Sequence, residues 1–253
     1  MATGRKILLG GNMREITFRV FRFDPMKDKK PRFRDYRVPI DNYTRVLEAL
    51  IWIKENLDPT LNFRYSCRMA MCGSCGMIIN NKPRLACKTF VKDLEADCIV
   101  IKPLRKFKVI RDLVVDMDEF FVKHRTVKPY LIRRDLEEQE NPTKFYLQTE
   151  KELQEFIQYA YCIMCGLCSS SCPIFRVDGD YLGPQALAQA YRYIADSRDQ
   201  GFKERAKIID SEIGFWRCHF AGECSEACPK SVEPAEAIQR MRQLLILGRV
   251  IKK

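Results

Sequence analysis

A run of four cysteines, Cys162-x₂-Cys165-x₂-Cys168-x₃-Cys172 with Pro173 behind it, constrains this chain more than any other stretch. Three thiols at two-residue intervals and a fourth ahead of a proline is the spacing of bacterial iron–sulfur sites, where the fourth thiolate serves a second cluster. Such a run demands partner cysteines elsewhere. Cys218, Cys224 and Cys228-Pro229 supply them in the same spacing, except that Ala221 stands where the second cysteine of the motif would fall. Crossing the two runs gives a complete four-thiol set, Cys162, Cys165, Cys168 and Cys228, and a three-thiol set, Cys172, Cys218 and Cys224. Each iron of a cubane needs a terminal ligand, so the sequence predicts a [4Fe–4S] centre next to a [3Fe–4S] centre. A pair of zinc sites is the alternative, because C-x₂-C also suits tetrahedral zinc; the repeated x₃-C-P ending is not a zinc habit.

A third cysteine group lies upstream. Cys67-x₄-Cys72-x₂-Cys75, with Cys87 following, has the plant-type [2Fe–2S] spacing. Zinc is again the competing reading. Gly73 and Gly76 are expected to allow a tight loop that aims backbone N–H groups at sulfur. The surrounding pattern predicts a small sheet domain. Glu15–Phe23 alternates with Ile16, Phe18 and Val20 on one face, and Phe33–Val38 reads as the returning strand. A helix is expected over Thr44–Leu57, with Thr44 as N-cap and Asp58-Pro59 as its stop. Gly76–Asn80 and Arg84–Cys87 form a hairpin turning at Asn80-Asn81, and Ile99–Ile101 closes the domain. That element order is a β-grasp ferredoxin-like domain, bounded at residues 13–108. Eleven of the twelve cysteines are thereby used. Cys98, beside an apolar strand, is expected to be a buried structural thiol.

Residues 109–253 read as a second, all-α domain carrying the other two clusters, which makes the fold class α+β. Helices are expected over Arg111–Phe121, from the Thr149–Glu152 capping box up to Cys162, from Pro184 to Gly201, over 203–213, and from Pro234 to a stop at Gly248. The segment Arg133–Asn141 is expected to be a surface connection. Twelve cysteines in such a chain argue for metal in a reducing compartment rather than for disulfides. Residues 1–13 have neither a secretory apolar core nor a transit-peptide pattern, and no apolar run reaches membrane-spanning length. The basic excess is one-sided: residues 1–108 hold 23 Lys and Arg against 11 Asp and Glu, whereas the rest is close to balance. An anionic membrane or an acidic protein partner fits such a half. Nucleic acid is not expected, since no binding module accompanies the charge.

With these motifs in hand, the chain resembles the iron–sulfur subunit of the succinate dehydrogenase/fumarate reductase (complex II) family over nearly its whole length. The strings that carry the resemblance are Ser66–Gly76, Arg84–Lys88, Cys162–Pro173 and Arg217–Lys230, with Gly183-Pro184 and Asp196–Asp199 in support. The family pattern also has an apolar residue at Ala221. The resemblance implies succinate:quinone oxidoreductase activity in the tricarboxylic acid cycle and respiratory chain, with quinol:fumarate reduction or a soluble multi-cluster carrier as alternatives. It further implies a flavoprotein partner with covalent FAD facing the basic half, and one or two membrane-anchor subunits that can hold haem b. Location would be the cytoplasmic face of a prokaryotic membrane, held peripherally through those anchors. Quinone contacts in the family map onto Pro173, Ile174, Val177, His219 and Ala221. Val177 departs from the tryptophan that succinate:quinone reductases usually place there, and the Cys224–Pro229 string resembles fumarate reductases more closely.

Overall fold

The computed structural model describes residues 13–177 and 180–246 of the chain. Two compact units divide between Asp116 and Met117, eight residues beyond the expected boundary. The N-terminal segment and the Gly248 stop lie outside the described residues.

The first unit is built on a five-stranded mixed sheet ordered β2-β1-β5-β3-β4. β1 (Arg14–Arg22) and β2 (Arg32–Ile40) form a long antiparallel pair in which Phe18 faces Tyr36. A helix, α1 (Val46–Asn56), follows. β3 (Gly76–Ile79) and β4 (Lys82–Leu85) make a hairpin around Asn80 and Asn81, both in left-handed backbone conformations at φ 45° and 65°. Two such residues in succession give the primed turn whose twist matches flanking strands. β5 (Cys98–Lys102) then lies parallel to β1, the crossover that marks a β-grasp. Ile16, Phe18 and Val20 of β1, Ile99 and Ile101 of β5, and Val46, Leu50 and Ile53 of α1 are all buried.

Three local expectations are corrected here. Thr44 does not cap α1; it closes a turn on Asp41, and the helix is capped from Arg45, whose N–H donates to the Glu48 carboxylate at 2.8 Å. Cys98 is half-buried rather than buried, because the alternation of β5 turns Ile99 and Ile101 inward and Cys98 outward. The expected helix over Arg111–Phe121 is instead a bulged hairpin, β6 (Val109–Arg111) and β7 (Val114–Val115), followed by a helix that starts later. The cause is Asp112. Its backbone is left-handed at φ 47°, and its carboxylate accepts from Arg22 Nε at 2.9 Å, from the Phe23 N–H at 3.0 Å and from the Asn62 N–H at 2.9 Å. Those bonds outweigh local helix preference and tie the hairpin to the first unit.

Arg22 is the hub of this network. It also donates to the hydroxyls of Tyr36 at 2.7 Å and Thr60 at 2.8 Å and pairs with Asp58, which accepts from Tyr36 at 2.7 Å as well. Arg22, Asp58 and Asp112 are all nearly inaccessible to solvent.

The second unit is helical. α2 (Asp118–Thr126) and α3 (Leu136–Glu140) come first, the latter a short helix within the expected surface connection. Thr149 does open a capping box, but the expected single helix breaks into α4 (Glu150–Gln154) and α5 (Ile157–Ala160) before Cys162. α6 (Leu167–Ser171), α7 (Pro184–Ile194), α8 (Phe202–Ile209), α9 (Glu223–Glu226) and α10 (Pro234–Ile246) follow. α7 and α8 each end short of the expected limits. α7 is the central element: Leu187, Ala190, Tyr191 and Ile194 are buried, and it packs on α2, α5, α6, α8 and α10. Arg205 of α8, fully buried, pairs with Asp199 at 2.7 Å and donates to the carbonyls of Lys128 and Tyr130.

Candidate iron–sulfur centres

Between α1 and β3 the chain folds into a loop that brings Cys67, Cys72 and Cys75 up to Cys87, just past β4. The turns rely on left-handed backbone at Arg68, Ala70 and Gly73, whereas Gly76 is already regular strand and gives no such freedom. Backbone N–H groups converge on sulfur as expected. Those of Met71 and Cys72 reach Cys67 Sγ at 3.2 and 3.3 Å, and that of Ala70 reaches Cys87 Sγ at 3.3 Å. The four thiols sit in unlike surroundings. Burial pushes Cys75 up to about 12, while at exposed Cys72 hydrogen bonds from Ser74 and the Cys67 N–H outweigh burial and hold the thiol down to about 6.

In the second unit the two cysteine runs sort themselves around two cavities. The first, about 380 Å³ with its mouth, is lined by Cys162, Cys165, Cys168 and Cys228, together with Gln185 and Ala188 of α7 and Pro234 of α10. The second, about 340 Å³ with its mouth, is lined by Cys172, Cys218 and Cys224, with Ala221 among its walls. The rings adjoin: Cys168 of one and Cys224 of the other pack together with Ala235. Each run therefore contributes thiols to both cavities, as the crossed pairing requires. Among the described residues, no three or more His, Cys, Asp or Glu side chains are gathered as for a single metal ion.

The chemistry of the donors fits a cationic cluster. Burial raises the Cys162 thiol, takes Cys165 up to about 12 and raises Cys168 well above its ordinary value; burial and the neighbouring Cys172 and Cys218 take Cys224 to about 12. Thiolates so placed need metal charge to exist near neutrality, and deprotonation on binding is what metal ligation supplies. Backbone donors are ready for them: the N–H of Val232 lies 3.3 Å from Cys228 Sγ, and that of Phe220 lies 3.4 Å from Cys218 Sγ.

Of the five residues mapped to a quinone, Pro173, Ile174, His219 and Ala221 line the three-thiol cavity, and Val177 does not; it stands 70% exposed. Arg176 beside it pairs with Glu119 of α2 at 2.7 Å, and Lys123 of the same helix donates to the Tyr181 carbonyl at 2.9 Å. Two further residues at the rings escape cysteine counting. Tyr181, almost wholly buried, borders the three-thiol ring and hydrogen-bonds Cys218, and burial drives its phenol far above the ordinary range. Gln185 borders the four-thiol ring. Their only sequence signal is proximity to Gly183-Pro184.

Residues 17–122 match the model of a 2Fe–2S iron–sulfur cluster binding domain, and residues 158–232 match that of a 4Fe–4S dicluster domain. The chain is 47% identical over 230 residues to a fumarate reductase iron–sulfur subunit of Mycobacterium tuberculosis, covering 91% of this chain and 92% of that one. It is 41% identical over 230 residues to a succinate dehydrogenase iron–sulfur subunit of Coxiella burnetii, covering 90% and 95%. Its fold matches a chain of the Mycobacterium smegmatis Sdh1 complex in the apo form with a TM-score of 0.82 at 24% identity, covering 94% of this chain and 98% of that one. Within the described residues no helix is long and apolar enough to cross a membrane.

Proposed function

We propose that this chain, which belongs to the family of succinate dehydrogenase and fumarate reductase iron–sulfur subunits, links a flavoprotein to a membrane quinone through three centres in series. The observation that carries the reading is the sorting of seven thiols from two distant runs into one ring of four and one ring of three. Cys67, Cys72, Cys75 and Cys87 hold the [2Fe–2S] group. Cys162, Cys165, Cys168 and Cys228 hold the [4Fe–4S] group, and Cys172, Cys218 and Cys224 the [3Fe–4S] group. When bound, such clusters supply one-electron transfer between a flavin and a quinone that each exchange two. The chain's own part is to fix the thiolates, keep water from the inner rings and aim N–H donors at sulfur.

At the last ring, Pro173, Ile174 and Ala221 form an apolar lip beside the imidazole of His219, which suits a quinone ring and one of its carbonyls. The basic first unit faces the flavoprotein with its covalent FAD. Anchor subunits, with haem b where present, hold the second unit at the cytoplasmic face of the membrane. Succinate oxidation is the working direction expected from sequence. Greater identity to the relative named for fumarate reductase, with the Cys224–Pro229 string, supports quinol:fumarate reduction as a second reading. Catalytic voltammetry of the purified complex decides between them by which current dominates at equal substrate.

Low-temperature EPR of the air-oxidised protein tests the ring assignment. Oxidised [2Fe–2S] and [4Fe–4S] centres are silent, so a signal near one spin per chain is expected from the three-thiol ring alone. Ala221→Cys should abolish that signal by completing a four-thiol ring and should slow quinone turnover. An unaltered spectrum in that variant overturns the crossed pairing.

A further inference from the structure

Gln185 is the second residue of α7, and only 2% of it reaches solvent. A carboxamide buried this deeply must find places for two N–H donors and a carbonyl. Its nitrogen lies 3.1 Å from His124 Nδ1 and 3.9 Å from Cys162 Sγ. Its Oε1 has no hydrogen-bond partner. The amide thus leaves its oxygen unsatisfied while its nitrogen meets two acceptors. Turned over, it would set a carbonyl lone pair against the sulfur and against Nδ1 together.

His124, on α2, decides which way the amide points. Burial, with Arg125 beside it, holds this imidazole below its ordinary range and so favours its neutral form, and in the tautomer protonated at Nε2 its Nδ1 accepts from the amide nitrogen at 3.1 Å. One amide hydrogen is then committed to His124 and the other is left for Cys162. Reducing a cluster adds negative charge that spreads onto its sulfurs, and a donor on a ligand sulfur stabilises the reduced form more than the oxidised one.

We propose that Gln185 is a positioning residue for the four-thiol centre: oriented by His124 Nδ1, its carboxamide donates to Cys162 Sγ and raises the reduction potential of the cluster held there. This rests on the ligand assignment proposed above. No spacing rule announces it, and the site takes no new ligand; it gives this chain a means of setting the middle centre apart from its neighbours.

The test is a potentiometric titration of the intact complex followed by EPR. Gln185→Leu, similar in bulk but without the donor, should lower the reduced-to-oxidised ratio of the four-iron centre about tenfold at a fixed ambient potential, equivalent to about 59 mV for one electron. The other two centres should not move. Gln185→Glu, which puts an acceptor where the donor was, should move it further in the same direction. His124→Phe, which frees the amide, should give a smaller fall. An unshifted potential in Gln185→Leu with a full four-iron signal overturns the inference. Loss of that signal in all three variants also overturns it, since the amide would then hold the cluster rather than tune it. Cys162→Ser separates the two levels. If it perturbs the four-iron centre while Gln185→Leu does not, the ligand assignment stands and this inference falls; if it perturbs a different centre, the assignment itself falls.

Discussion

At the scale of single residues, the grouping of the cysteines around two cavities could be read from their spacing, whereas the polar groups that serve the fold could not. Spacing alone brought Cys228 to the Cys162 run and left Cys172 to the other, and the cavity linings divide in the same way. Arg22 shows what periodicity misses. The alternation of Ile16, Phe18 and Val20 continues to Arg22, so the strand turns a guanidinium inward, and the partners that make this tolerable, Asp58 and Asp112, lie far along the chain. A buried ion pair that loses one member leaves an uncompensated charge, a loss of roughly 3–5 kcal/mol. Arg22→Met is expected to destabilise the first unit by about that much in urea unfolding. The pH dependence has a definite sign. Burial alone would raise the Asp58 carboxyl, but hydrogen bonds from Thr60, Tyr36 and Arg22 hold it well below the carboxylate range. Its contribution is therefore present above about pH 4, the unfolded value, and is lost as pH falls through that region toward the folded one. The stability difference between the native protein and Asp58→Asn should accordingly shrink between pH 6 and pH 3.

At the scale of elements, strands and long helices followed their patterns, and the deviations have identifiable causes. Asp112 replaced the start of an expected helix with a hairpin because side-chain and backbone donors from two parts of the first unit, Arg22-Phe23 and Asn62, fix it in place. The helix expected to deliver Cys162 broke near Phe156, where buried Phe156 and Tyr159 turn toward α7 and its neighbours. Pro184 gave the start of α7 correctly, and Gly183 before it is required by geometry. Gly183 sits at φ +89°, ψ 164°, and a Cβ there would lie 2.7 Å from the Phe175 ring. That backbone region is essentially closed to other residues and costs about 1–3 kcal/mol. Gly183→Ala should therefore lower the thermal midpoint by several degrees. It should also broaden or diminish the EPR signal of the three-thiol ring, because Phe175 carries the turn that follows Pro173 and Ile174. A lower midpoint with an untouched signal would mean that the glycine serves the helix start alone.

On the scale of the whole molecule, chain length and element order indicated two domains of different class, the residue count showed an uneven charge, and the division between Asp116 and Met117 differs from expectation by the length of one hairpin. The basic excess of residues 1–108 should appear in partner binding. Affinity for the flavoprotein is expected to weaken several-fold between about 0.01 and 0.15 M salt, as the screening length falls from about 30 to 8 Å, and titration calorimetry would measure it. The crossed rings have a consequence for how the molecule is made. A chain emerging from the ribosome presents Cys162, Cys165 and Cys168 long before Cys228, and Cys172 long before Cys218 and Cys224. Neither inner centre can be closed on the proposed ligation until almost the last helix has been synthesised, whereas Cys87 completes the first set just past the opening third of the chain. On that ligation the earliest moment at which each ligand set is complete is split in time, early for one centre and late and joint for the other two. A product that stops short of Cys218 would carry a single finished centre and a row of half-ligated thiols.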